Sequence, residues 1–215
     1  VAIKEDGKGP GRGVYRANNT DLKMGAGHGS AGGRAFAPFG QPYGDPYAPV
    51  DPGSGGCGAN TVANGPGGNG GGVVRIAATG TVTVDGTISA NAWGRKAWFE
   101  ASCGSGGSVY ITCNVISGTG RVSADAEASY TGTGAGGAGG RIAVVYDTTA
   151  QSNAVAAAVT FSAQCGNETG GWTQPGGDLG TVYFPDDQIL ARGPSLVKHA
   201  GMWLAPGTRL DRDSL

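Results

Sequence analysis

The chain has 215 residues, a formal net charge of −1, 14% charged residues and 44 glycines. That length suits one solenoid-sized domain, and the near-neutral charge leaves no electrostatic footprint for nucleic acid or an anionic membrane surface. Glycine stands at about three times its usual share without the every-third-residue period of collagen, and apolar residues (39%) cluster in β-branched runs, which argues for an ordered β protein over a disordered one.

Residues 1–70 form a Pro/Gly-rich segment with few alternating runs. Val1-Ala2-Ile3 and Gly13-Val14-Tyr15 are its candidate short strands, and the prolines between residues 41 and 52 predict a stretch that wraps a surface. The start at Val1 reads as a processed mature chain or a segment of something longer. The longest apolar run, residues 154–161, falls far short of the ~18 residues of a membrane span.

Residues 71–184 carry a repeat. Thr87-Ile88-Ser89-Ala90, Arg121-Val122-Ser123-Ala124 and Thr160-Phe161-Ser162-Ala163 place a large apolar residue, a serine and an alanine in one order, at spacings of 34 and 39 residues. A second strand recurs in step: Val74-Arg75-Ile76, Val109-Tyr110-Ile111, Ile142-Ala143-Val144 and Val182-Tyr183-Phe184. Its period-2 alternation turns Val74, Val109, Ile142 and Val182 to one face and Arg75, Tyr110, Ala143 and Tyr183 to the other. A middle strand (Thr81-Val82-Thr83-Val84, Val115-Ile116-Ser117) and turns at Asp85-Gly86 and Thr119-Gly120 complete each unit. Co-repeating strands predict an all-β chain, a right-handed parallel β-helix (β-solenoid) of about four to five coils with long Gly-rich loop excursions. A β-sandwich and a glycine-rich polyproline-type bundle are the alternatives; the Val/Ile alternation fits strands better than the latter. Residues 185–215 drop the repeat, and Ile189-Leu190, Leu196-Val197 and Met202-Trp203-Leu204 read as a cap or an inter-subunit contact.

Chemistry is harder to find. His28 lies in Gly-Ala-Gly-His-Gly-Ser with no nucleophile elbow, and reads as a loop imidazole bonded to local backbone; His199 is equally isolated. Asp186-Asp187 is an acidic doublet after a strand, which a turn explains as well as half of a glycan-cleaving pair does. Asp85 and Asp125 stand at strand ends but not at equivalent repeat positions. Neither a calcium nonapeptide nor a P-loop ending is present, so no cofactor or metal site is expected. Trp93, Trp98, Phe99 and Trp172 lie in excursions and Tyr43 and Tyr47 in the Pro-rich segment; these rings would cover the coils, meet a partner or stack on sugar.

Cys57, Cys103, Cys113 and Cys165 lack CxxC spacing, which disfavours zinc and suits disulfides, with three pairings open. Sequons at Asn18 and Asn167 agree with secretion and glycosylation.

The run Gly-Gly-Val-Val-Arg-Ile-Ala-Ala (71–78), Asp85-Gly86-Thr87-Ile88-Ser89-Ala90-Asn91 and Gly139-Gly140-Arg141-Ile142-Ala143-Val144 resembles the glycine-rich β-helix repeats of very large secreted or cell-surface proteins of microbes and protists. The resemblance implies an adhesive or structural role. The expectation is a non-enzymatic extracellular subunit of a filament or cell-surface appendage, joined head-to-tail through Val1, Ile3 and the segment containing Trp203, with contacts from Trp93, Trp98 and Trp172. A carbohydrate-active β-helix enzyme with a groove of acids and basic residues is the runner-up, and a glycan-binding adhesin the third reading. No membrane span and no nucleic-acid partner are expected.

Overall fold

The computed structural model describes residues 7–17, 21–33, 39–58, 66–94, 101–127, 134–155, 157–166, 176–190 and 203–204. Two short strands, β1 (Tyr15–Ala17) and β2 (Asp21–Lys23), pair antiparallel. Three sets follow. The first is β3 (Val73–Ala77), β4 (Thr81–Thr83) and β5 (Thr87–Ser89), and the second is β6 (Ser108–Thr112), β7 (Val115–Ser117) and β8 (Arg121–Ser123). The third is β9 (Arg141–Val145), a one-turn helix α1 (Thr148–Ser152) and β10 (Thr160–Ser162); β11 (Thr181–Tyr183) and β12 (Trp203–Leu204) close the series.

Strands of successive sets pair parallel, in sheets of five (β12-β11-β9-β6-β3), three (β10-β8-β5) and two (β4-β7). The register aligns Val74, Val109, Ile142 and Val182 in one row, and Ile88, Val122 and Phe161 in another. Inward residues of all three sheets share one core. Val109, Ile111, Ile116, Val122, Ile142 and Val144 are fully buried there, joined by Phe184 and Ile189, and Phe161 meets Phe184 edge-on at 4.8 Å. Ile189 therefore serves the core, with Leu190 packed against it, rather than an outer joint.

The expected β-helix of four to five coils is overturned. The strands form separate small sheets, not a closed coil, and only the first two sets hold three strands. In the third set the middle strand gives way to α1. Asp147 caps this helix by accepting the Ala150 N–H at 2.8 Å, which commits the chain to a turn where a strand would continue.

The glycine-rich stretches are also not loop excursions. Ser102 and Ser105 donate their N–H groups to Cys57 and Ser54, while Cys103 and Gly106 donate theirs to Ala135 and Ala138. Partners change with every residue and return every third, on both sides of each pairing, which is the three-residue turn of a polyproline II-type chain. Such a chain has no internal hydrogen bonds, so its amides must be met by neighbours. The segments around residues 25–33, 53–57, 67–71, 102–107 and 135–140 do this for one another. Contact is close enough to exclude side chains: a Cβ on Gly137 would lie 2.0 Å from the Gly104 carbonyl oxygen. The arrangement set aside from sequence is what these glycines build, alongside the strands.

Candidate functional site

Among the described residues, the first set is more open than the second. β3, β4 and β5 each stand at the edge of a different parallel sheet, all on the same side of their partners β6, β7 and β8. Val74, Ile76, Val82 and Ile88 are only partly buried, whereas Val109, Ile111, Ile116 and Val122 in the matching rows of the second set are fully buried. Val73 is 40% exposed, and Trp93, tied to Asn69 by a pair of backbone hydrogen bonds, is 68% exposed. Arg75 lies over the Tyr110 ring at 5.8 Å and is the single charged residue in these three strands.

The outward rows of the five-stranded sheet carry Arg75, Tyr110, Ala143 and Tyr183, flanked by Val73, Ser108, Arg141 and Thr181. No carboxylate stands in these rows, so the acid-lined groove of a glycan-cleaving enzyme is not formed by this face. Part of the face is covered by the Pro-rich segment. Tyr47 meets Tyr183 edge-on at 4.9 Å, and the Tyr43 and Asp51 carbonyls accept from Arg141 Nε and the Ser108 hydroxyl at 2.8 and 2.6 Å.

Beneath that cover sits a buried polar cluster. His28, fully buried, has Nδ1 2.7 Å from the Gly106 carbonyl oxygen. A carbonyl only accepts, so Nδ1 carries the proton and Nε2 is bare. Nε2 lies 3.5 Å from Ser108 Oγ, but that hydroxyl has one proton and gives it to Asp51. The Tyr43 ring packs 4.6 Å from the imidazole, and the Arg141 guanidinium reaches the His28 carbonyl at 3.2 Å and Thr181 Oγ1 at 3.1 Å. Burial is the largest influence and lowers the His28 pKa to about 4. Burial likewise raises Tyr43 and lowers Arg141. A neutral imidazole without a proton to take from serine is a tie between segments, not a base beside a nucleophile. The sequence expectation of a locally bonded loop histidine is corrected here: its partner is 78 residues away.

Three carboxylates at strand ends are also engaged. Asp186 accepts from the Tyr146 hydroxyl, the Gln188 N–H at 3.0 Å and Gln188 Nε2 at 2.5 Å. Burial alone would raise its pKa, but these bonds outweigh it and leave it lowered; Tyr146 is raised by burial and by its bond to Asp186. Asp85 accepts from the Thr119 N–H at 3.2 Å. Asp125 binds the Ser162 hydroxyl, the Gln164 N–H and Arg121. Each acid fixes a turn or strand end.

Cys57 and Cys103 are buried in the glycine bundle, and the Cys57 thiol faces Ser102 Oγ at 3.6 Å. Cys113, after β6, and Cys165, after β10, are half-buried, and burial raises both thiol pKa values. Val1, Ile3, Asn18, Trp98, Phe99, Asn167, Trp172 and His199 lie outside the described residues; Trp203 is described as backbone in β12. Among the described residues no cluster of three or more His, Cys, Asp or Glu could hold a metal, and no helix is long and apolar enough to cross a membrane. Arg141 and Gln151 are structural anchors that sequence reading missed; an arginine opening an otherwise apolar buried strand was the available signal. Compared with protein-family models, with curated proteins and with solved structures, the chain matches none.

Proposed function

We propose that this chain is a non-enzymatic structural module of an extracellular assembly, a filament or surface appendage, and that it associates with itself. The observation that carries the reading is the more open first set: among the described residues, three edge strands from three sheets at one level, apolar and half-open. Edges of this kind template further pairing unless charge, proline or a bulge blunts them, and β3, β4 and β5 hold no proline and one charge. Supporting it, among the described residues His28, Ser108 and Asp186 hold backbone in place. The two sequons favour an extracellular setting.

A concentration series in the analytical ultracentrifuge, with electron microscopy of the largest species, tests the proposal. Mass growing with concentration is the expected result. A chain monomeric up to its solubility limit would overturn it. The exposure of Trp93 favours a second reading, a glycan-binding adhesin, which predicts glycan-array binding abolished by Trp93→Ala.

A further inference from the structure

Glycines at one position of the repeat form a column. A Cβ on Gly180 would sit 2.0 Å from the Gly140 carbonyl oxygen, one on Gly140 would sit 2.1 Å from that of Gly107, and one on Gly107 would sit 1.9 Å from that of Gly72. Each is glycine because the carbonyl of the preceding set stands where a side chain would begin. Gly72 opens the column, and a Cβ there would meet nothing within 4 Å. The turn glycines repeat the pattern: Gly120 is 2.2 Å by the same measure from the Gly86 oxygen, while Gly86 meets nothing. Neither Gly72 nor Gly86 has a positive φ. Within the described chain, then, neither backbone conformation nor packing calls for glycine at these two places.

The hydrogen bonds tell the same story. Gly107, Gly140 and Gly180 donate their N–H groups to Ala90, Ala124 and Ala163, each the alanine closing the apolar–Ser–Ala strand of the set before. Among the described residues the Gly72 N–H has no such acceptor. Gly72 is therefore built to receive a backbone that stands to it as it stands to Gly107.

We infer that a second copy of this chain stacks on the first set, in the same sense as the sets stack within the chain, with its backbone over Gly72 and Gly86. This rests on the self-association proposed above and names its joint. An isolated peptide strand would pair with one of β3, β4 or β5; a surface offering three edges and two bare glycines at one level fits a partner that is itself a set of strands. β10 and β12 are the far parallel edges of the sheets to which β5 and β3 belong, which gives a copy of this chain strands for two of the three edges. Stacking in one sense is a heterologous contact that does not close on itself.

The test adds two methyl groups. Gly72→Ala and Gly86→Ala together should leave the monomer folded with an unchanged or higher thermal midpoint, since both sites are open. The same change should raise the concentration needed for assembly by about tenfold or more, because the joint would meet a Cβ where backbone belongs. Gly107→Ala is the internal control and should destabilise the monomer itself. Wild-type assembly that the double variant leaves untouched would overturn this joint while leaving the functional reading standing. Wild-type association that stops at two copies would overturn the same-sense stacking. A wild-type chain that never associates removes the functional reading itself.

Discussion

His28 shows how much one side chain decides when glycine surrounds it. The fully buried imidazole holds the Gly106 carbonyl through Nδ1–H and receives the Tyr43 ring, so it joins the glycine bundle to the Pro-rich cover. Burial is the largest influence and acts with Arg141, which repels a proton; together they outweigh the Gly106 carbonyl and Asp51, which favour one, and the pKa falls from 6.5 to about 4. A lowered histidine pKa means that the unfolded chain binds the proton more tightly. Stability is then fully present above the unfolded value and is lost as pH falls from 6.5 toward 4, by up to about 3 kcal/mol from this group. His28→Asn keeps a donor near Nδ1 and cannot titrate. Its urea midpoint should vary less than the wild type's between these pH values, and equal slopes would refute the assignment. Sequence showed an isolated histidine among glycines. It could not show burial, because burial comes from segments 15 and 78 residues away.

At the scale of elements, Gln151 of α1 does what a strand would otherwise do. Its amide accepts the Ile116 N–H at 2.9 Å and donates to the Ile116 carbonyl at 3.1 Å, so it satisfies the peptide of β7 as a neighbouring strand's backbone would. Gln151→Ala strands both groups at a buried position. It should cost about 2–3 kcal/mol in urea denaturation with an unchanged m-value. A loss under 0.5 kcal/mol would mean that water replaces the amide. The parallel rows were legible in the sequence because Val74, Val109, Ile142 and Val182 recur in step and strand rows amplify such recurrence. The helix was not. Asp147 before Thr148 is an N-cap signal, but one turn of helix leaves no periodicity to read, and the apolar run that follows masks it.

The whole molecule joins two kinds of interior. One is the apolar core between the parallel sheets, and the other is a bundle of backbone whose buried side chains are mostly small, Ser54, Ser102, Ser105, Ala135 and Ala138 among them. Periodicity methods see the first and are blind to the second, since a glycine segment has no pattern of apolar and polar faces. That blindness produced the expectation of loops and of a coil. The open first set was half legible: the repeat begins at β3, so something had to be first, but whether residues 1–70 cover it could not be read from composition. The two interiors also differ in hydration. Exposing apolar surface raises the heat capacity and exposing peptide groups lowers it, and a 215-residue chain of ordinary composition would show about 3 kcal/mol/K on unfolding. Calorimetry should give a distinctly smaller value here. An ordinary value would mean that the apolar core, not the peptide bundle, dominates the buried surface.

The backbone bundle has a further consequence, for tolerance of change. Low-complexity glycine usually marks sequence that drifts freely. Here, along the column from Gly107 to Gly180, every other amino acid brings a Cβ that collides with a carbonyl about 2 Å away. No conservative replacement exists for these positions, so a single missense change is a lesion wherever it falls. The stretch that reads as filler is the part of the gene with the least freedom to vary, while the valines and isoleucines of the core can trade places with one another.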